Sequence, residues 1–142
     1  MIASAAIGDA LAQKAARLER CVARAREERL AAADFATDFT HQDAAVLNVL
    51  RACELAIDMA HMVVAHERWG LPESAREAVA LLHTHGAIDA ALADALRRMV
   101  GFRNVAVHDY EALDMGIVAA VIDRELDVLS QLAGRLVQRH LP

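Results

Sequence analysis

Proline occurs at only two positions in this chain, Pro72 and Pro142, so the covalent backbone leaves the first 71 residues and the stretch from Glu73 to Leu141 free to run as helix. Glycine is also sparse, with six in 142 residues. Apolar stripes at helical spacing fill these breaker-poor stretches. Leu11, Ala15, Leu18, Val22 and Ala25 recur at intervals of four and three with charged residues between them, predicting an amphipathic helix from Ser4 to Ala33. The polar run "DFATDFT" interrupts, and Thr40 is the expected N-cap of a second helix ending near Trp69, with Val46, Leu50, Cys53, Ile57, Ala60 and Val64 as its stripe. "GLP" closes that helix. Ser74, with Glu77 following, reads as a capping box opening a short third helix that ends at Gly86. A fourth starts near Ile88 or Asp89 and carries Leu92, Leu96 and Met99. A fifth is expected from Asp114 to Arg139 on Val118, Ile122, Leu126, Leu129, Leu132 and Leu136.

These periods predict an all-α fold, an antiparallel bundle of four long helices plus one short one, forming a single domain over residues 1–142. The composition agrees, being 56% hydrophobic but only 4% aromatic, the profile of an alanine and leucine bundle. So much apolar surface also favours assembly between chains. The apolar run "MGIVAAVI" is far below the roughly eighteen residues of a membrane span. "MIASAAIGDA" lacks the basic start and apolar block of a signal peptide, and Cys21 and Cys53 form no paired motif, so a cytoplasmic protein with reduced, structural thiols is expected. The net charge of −5 argues against generic polyanion binding, leaving any nucleic-acid role to a local basic site.

The chemistry concentrates in "GFRNVAVHDY", residues 101 to 110. Continuing the fourth stripe by four positions lands on Arg103, so a permanent cation occupies an expected apolar position. An arginine snorkelling from a helix end is the ordinary explanation. His108 and the chain's single tyrosine, Tyr110, point elsewhere. Arg103 and His108 lie about 140° apart on a straight helix and cannot serve one site from it. A helix ending near Val107 would let His108 and Tyr110 face one cleft, or a second chain completes the site. Gly101 suggests distortion or a close approach.

The run "MVGFRNVAVHDY", with "RACELAIDMAH", "GLPES" and "HTHGAID", resembles the HepT family of HEPN-domain ribonuclease toxins over roughly residues 34 to 136. The resemblance implies a homodimer whose two motifs meet in an interface cleft and cut RNA without a metal or other cofactor. It assigns Arg103, Asn104 and His108 to catalysis. It also implies a partner, an MntA-type nucleotidyltransferase antitoxin that adds AMP to Tyr110. The chemistry is consistent: cleavage through the 2′-OH needs a base, an acid and positive charge at phosphate, and a two-fold dimer supplies two His108 and two Arg103 side chains. The adenylyl anion would neutralise Arg103 and block RNA. Alternatives are a non-catalytic HEPN module that dimerises and holds a partner nucleotidyltransferase, and a plain dimerisation bundle.

The second helix carries Arg51, Glu54, Asp58 and His61 in a polar stripe. It reads either as a solvated face or as support for the cleft, with Glu54 or Asp58 orienting Arg103. His83 and His85 suit the end of a helix dipole better than a metal, and "HERWG" has no second histidine at zinc-protease spacing from His66. Trp69 is assigned to the core or an interface, and Arg97 and Arg98 could reach only phosphates. Which RNA is cut is not legible.

Overall fold

The stripe that begins at Leu11 lies inside, with Leu11, Leu18 and Ala25 fully buried and Val22 nearly so. In the computed structural model, which describes residues 4–141, it belongs to α1 (Ser4–Ala31). α1 packs along α2 (Phe39–Glu67), the most extensive helix pairing in the molecule. α3 (Ala75–Thr84), α4 (Ala90–His108), α5 (Met115–Arg124) and α6 (Leu126–Arg139) complete the set. No described residue lies in a strand, and no described helix is long and apolar enough to cross a membrane.

α2 is the axis, touching α1, α3, α4, α5 and α6. Its buried residues wrap most of its circumference, from Val46, Val49 and Cys53 to Met59, Ala60, Val63 and Val64. Asp43, Leu47, Arg51, Glu54 and Asp58 stay exposed. Their spacing of four, four, three and four puts them on one line along the helix, so α2 is a core helix with a single open face. α6 covers the bundle with Leu126, Leu129, Leu132 and Leu136, each worth about 1.5–3 kcal/mol when fully withdrawn from water.

The boundaries differ from the sequence expectation where short-range chemistry competes with tertiary contact. Asp38, not Thr40, caps α2: its carboxylate accepts from the His41 amide at 3.0 Å, so the helix starts at Phe39 with Thr40 inside its first turn. Ser74 caps α3 as expected, but Glu77 reaches back to the Glu73 amide instead of to Ser74. α2 ends at Glu67, where Arg68 takes the left-handed conformation, φ 58°, and its amide meets the carbonyls of Val64 and Ala65.

The single fifth helix expected from Asp114 to Arg139 is two, broken at Glu125. No glycine or proline marks that joint. Arg29 reaches Asp123 at 3.1 Å and Arg26 reaches Asp127 at 2.7 Å, fastening α1 on either side of the bend. The bundle therefore has six helices among the described residues.

Candidate active site

α4 passes undistorted through Gly101, and what the glycine accommodates is an approach from α3: a Cβ there would stand 3.2 Å from an Arg76 nitrogen. The helix then carries Arg103, Asn104 and His108 before ending on Asp109, one residue later than expected. Its last turns are only partly covered. Arg103 and Asn104 are half-buried, Val105 and Val107 are half-exposed, and His108 is open to solvent.

Arg103 is held from α2. Its Nε lies 3.2 Å from Glu54 Oε1, with the arginine side chain 20% exposed. The pair is electrostatic, because that Nε has no hydrogen-bond partner of good geometry. Of the two carboxylates expected to orient Arg103, Glu54 does so and Asp58 does not, pairing instead with Lys14 of α1 at 3.7 Å. Cys53, beside Glu54, is buried, and burial first and the neighbouring carboxylate second push its thiol up to about 12, against a lowering pull from Arg103. It is inert packing, as the sequence suggested.

Tyr110 opens a short 3-10 turn (Tyr110–Ala112), and its hydroxyl donates to Asp43 of α2. Burial, then the Asp43 hydrogen bond and charge, raise the phenol to about 12. Sequence reasoning missed Asp43, whose partner lies 67 positions away. One signal was available: Asp43 and Glu54 are three full turns apart, within about 20° of one line on α2. α4 runs antiparallel beside that line, so Glu54 meets Arg103 and Asp43 meets Tyr110. The expected common outlook of His108 and Tyr110 is not reproduced within one chain. The tyrosine turns back to α2, while His108 points to solvent with no hydrogen bond or ion pair among the described residues.

Arg51 sits elsewhere on the same face. It joins Arg17, Arg20, Arg24 and Asn48 around a shallow groove of about 490 Å³ between α1 and α2. Arg24 is neutralised by Glu27 and Glu28, whereas Arg17, Arg20 and Arg51 pair with no described acid. A second depression shares Arg17, Cys21 and Arg51 and extends past Leu47 to Glu54 and Asp58, so the arginines lead toward the residue that holds Arg103. This is a local concentration of positive charge on a chain whose net charge is −5. The adjacent pair looks different: Arg97 is tied to Asp94 at 2.7 Å, and Arg98 borders an apolar groove between α4 and α5 with Phe102, Val105 and Ile117.

His83 lies exposed at the end of α3 as expected, and His85 caps that helix with its ring stacked on Trp69 at 4.6 Å.

An all-helical bundle that presents arginine, asparagine and an exposed histidine on the last turns of one helix, beside a tyrosine seated on another, has the architecture of the HEPN class. The sequence profile described as ribonuclease HepT-like matches residues 12–136, and the chain belongs to that family. The match takes in most of α1, beyond the 34 to 136 expected from motifs alone. The chain is 37% identical over 125 residues to the mRNA nuclease HepT of Shewanella oneidensis, covering 88% of this chain and 94% of that protein. Among solved structures it resembles a tri-AMPylated Shewanella oneidensis HEPN toxin in complex with an MNT antitoxin, with a TM-score of 0.83 and 36% identity over 88% of this chain and 94% of that one. A toxin–antitoxin structure with AMP-PNP gives a TM-score of 0.84 at 35% identity, covering 89% of this chain and 96% of that chain.

Proposed function

We propose that this chain is the toxin of a HEPN and MNT toxin–antitoxin pair, a cytoplasmic endoribonuclease that acts as a homodimer, with residues 1–142 as one domain. A nucleotidyltransferase antitoxin silences it by adding AMP to Tyr110. The observation that carries the reading is the division of labour along the open face of α2, where Glu54 holds Arg103 and Asp43 holds Tyr110 beside an uncommitted His108.

The reaction follows from those groups. The RNA 2′-oxygen attacks the adjacent phosphorus as the bond to the 5′-oxygen breaks. One His108 takes the 2′-hydroxyl proton, and the two-fold-related His108 gives a proton to the leaving oxygen. Arg103, fixed by Glu54, faces the charge that builds on the phosphate, and Asn104 supplies a polar contact in the same cleft. Val105 and Val107, half-exposed beside His108, provide apolar surface for the second copy. Arg17, Arg20 and Arg51 guide the backbone toward the cleft without reading bases.

His108→Ala is expected to abolish cleavage of total RNA, a loss of about a hundredfold or more, while the dimer remains folded by size-exclusion chromatography and circular dichroism. The wild type retains cleavage in chelator. Full activity of the variant would overturn the assignment.

A further inference from the structure

At the opposite end of α2 stands a second cluster. We infer that His66, Glu67 and His140 form a binding site for one divalent transition cation of the zinc type. One ligand atom from each lies within 4.8 Å of the others. Two of the three are neighbours at the close of α2, and the third arrives from the far end of the chain as the C-cap of α6.

His140 is the observation that matters most. It is 7% exposed, and its Nδ1 lies 2.9 Å from the Leu136 carbonyl. A carbonyl only accepts, so Nδ1 carries the proton, and in the neutral ring Nε2 presents a lone pair. That Nε2 is buried without a hydrogen-bond partner. A ring locked by a backbone carbonyl on one nitrogen, with the other free, is how proteins hold a metal-ligating histidine. An ion pair would require a proton on Nε2 directed at Glu67. The carboxylate stands 3.4 Å away, but the geometry is not that of a hydrogen bond.

The spacing suits a tetrahedral ion. With zinc to ligand distances near 2.0–2.1 Å, neighbouring ligand atoms sit about 3.3 Å apart and two ligating imidazoles have centroids about 5.2 Å apart. Here Glu67 Oε1 and His140 Nε2 are 3.4 Å apart, and the His66 and His140 centroids are 5.6 Å apart with planes at 77°. His66, half-buried, supplies the small closing movement. Two imidazoles and one carboxylate favour zinc and its neighbours over magnesium or calcium, which prefer oxygen. Water would take the fourth position, entering by a groove of about 420 Å³ lined by Ala6, Ala10, Met62, His66 and Arg68.

Two cations stand near the ion, Arg68 at the groove and Arg139 beside the carboxylate. Arg139 Nε approaches Glu67 Oε1 at 3.8 Å, but its guanidinium lies 5.0 Å over the Trp69 ring, a seat it keeps when the carboxylate turns to a metal. Binding would clasp α2 to the end of α6 at a corner against which α1 also packs: a Cβ on Gly8 would stand 2.8 Å from the His140 carbonyl oxygen. The site lies roughly 18 Å along α2 from Glu54, too far to touch the reacting phosphate.

Cobalt titration of the intact purified chain tests this. One Co²⁺ per chain is expected, with visible ligand-field bands, displacement by Zn²⁺ but not Mg²⁺, and none of the thiolate charge-transfer absorption that Cys21 or Cys53 would add. His66→Ala and Glu67→Gln, both at partly exposed positions that tolerate change, each weaken cobalt binding by about tenfold or more, whereas His83→Ala leaves it unchanged. Thiolate bands, no stoichiometric cobalt, or equal affinity in His66→Ala and Glu67→Gln would each overturn the site.

Discussion

The two ends of α2 use the same residue types in opposite ways. From its first turns to its middle, Asp43 and Glu54 stand on the exposed line and reach outward to hold Tyr110 and Arg103, leaving His108 with no partner in its own chain among the described residues. Toward its close, Glu67 meets a histidine sealed into the bundle by α6 and backed by a carbonyl. An acidic residue beside a histidine or an arginine is therefore not informative by itself. What separates the two ends is whether the basic side chain keeps access to solvent.

The first end is broken most completely at Arg103. Arg103→Ala is expected to lower kcat for RNA cleavage by about a hundredfold or more, the usual consequence of losing one preorganised donor to transition-state charge. Glu54→Gln, which leaves the guanidinium present but less fixed, should fall between that variant and wild type, and equal losses in both would mean that Glu54 does more than position. Next in size is the groove: Arg17→Ala with Arg51→Ala should raise KM for long RNA several-fold, flatten its dependence on salt, and spare kcat. Unchanged salt dependence would remove the arginines from the RNA path.

Tyr110 sharpens the comparison without any enzymology. As the chain's single tyrosine, its phenolate absorbance should report a midpoint near 12, and Asp43→Asn should bring that midpoint down only part of the way toward 10, because burial is the larger cause. The sign for stability follows. A phenol raised on folding adds stability that is intact below about pH 10 and is lost as pH rises toward 12. Cys53, also raised to about 12, contributes in an overlapping window, so Tyr110→Phe removes only part of the alkaline loss of thermal stability. The smallest effect belongs to Asp58→Asn, which breaks an exposed pair with Lys14 and should change stability by less than about 1 kcal/mol and cleavage not at all.

Much of this was legible because helices announce themselves locally. The stripes through Leu11, Val46, Leu92 and Leu126, the cap at Ser74 and the start near Asp89 all follow from period and short-range hydrogen bonding. The Glu54 to Arg103 pairing was also within reach, since both stand out as charges on or beside apolar stripes. Where sequence failed, the cause was tertiary. The break at Glu125 has no breaker residue and is flanked by long-range ion pairs to α1, Asp43 meets Tyr110 only because α2 and α4 run antiparallel, and His66 and His140 come from distant parts of the chain. A residue's spacing predicts its face, but not which helix will cover it.

The seat of Tyr110 has a consequence for silencing. An esterified phenol oxygen has no hydrogen left to give Asp43, and the phosphodiester it carries is repelled by that same carboxylate. On the proposed assignment of Tyr110 as the AMP acceptor, adenylylation would expel the ring from its berth on α2 and swing the nucleotide outward, so that the unmodified chain keeps its brake folded away and the modified form exposes it.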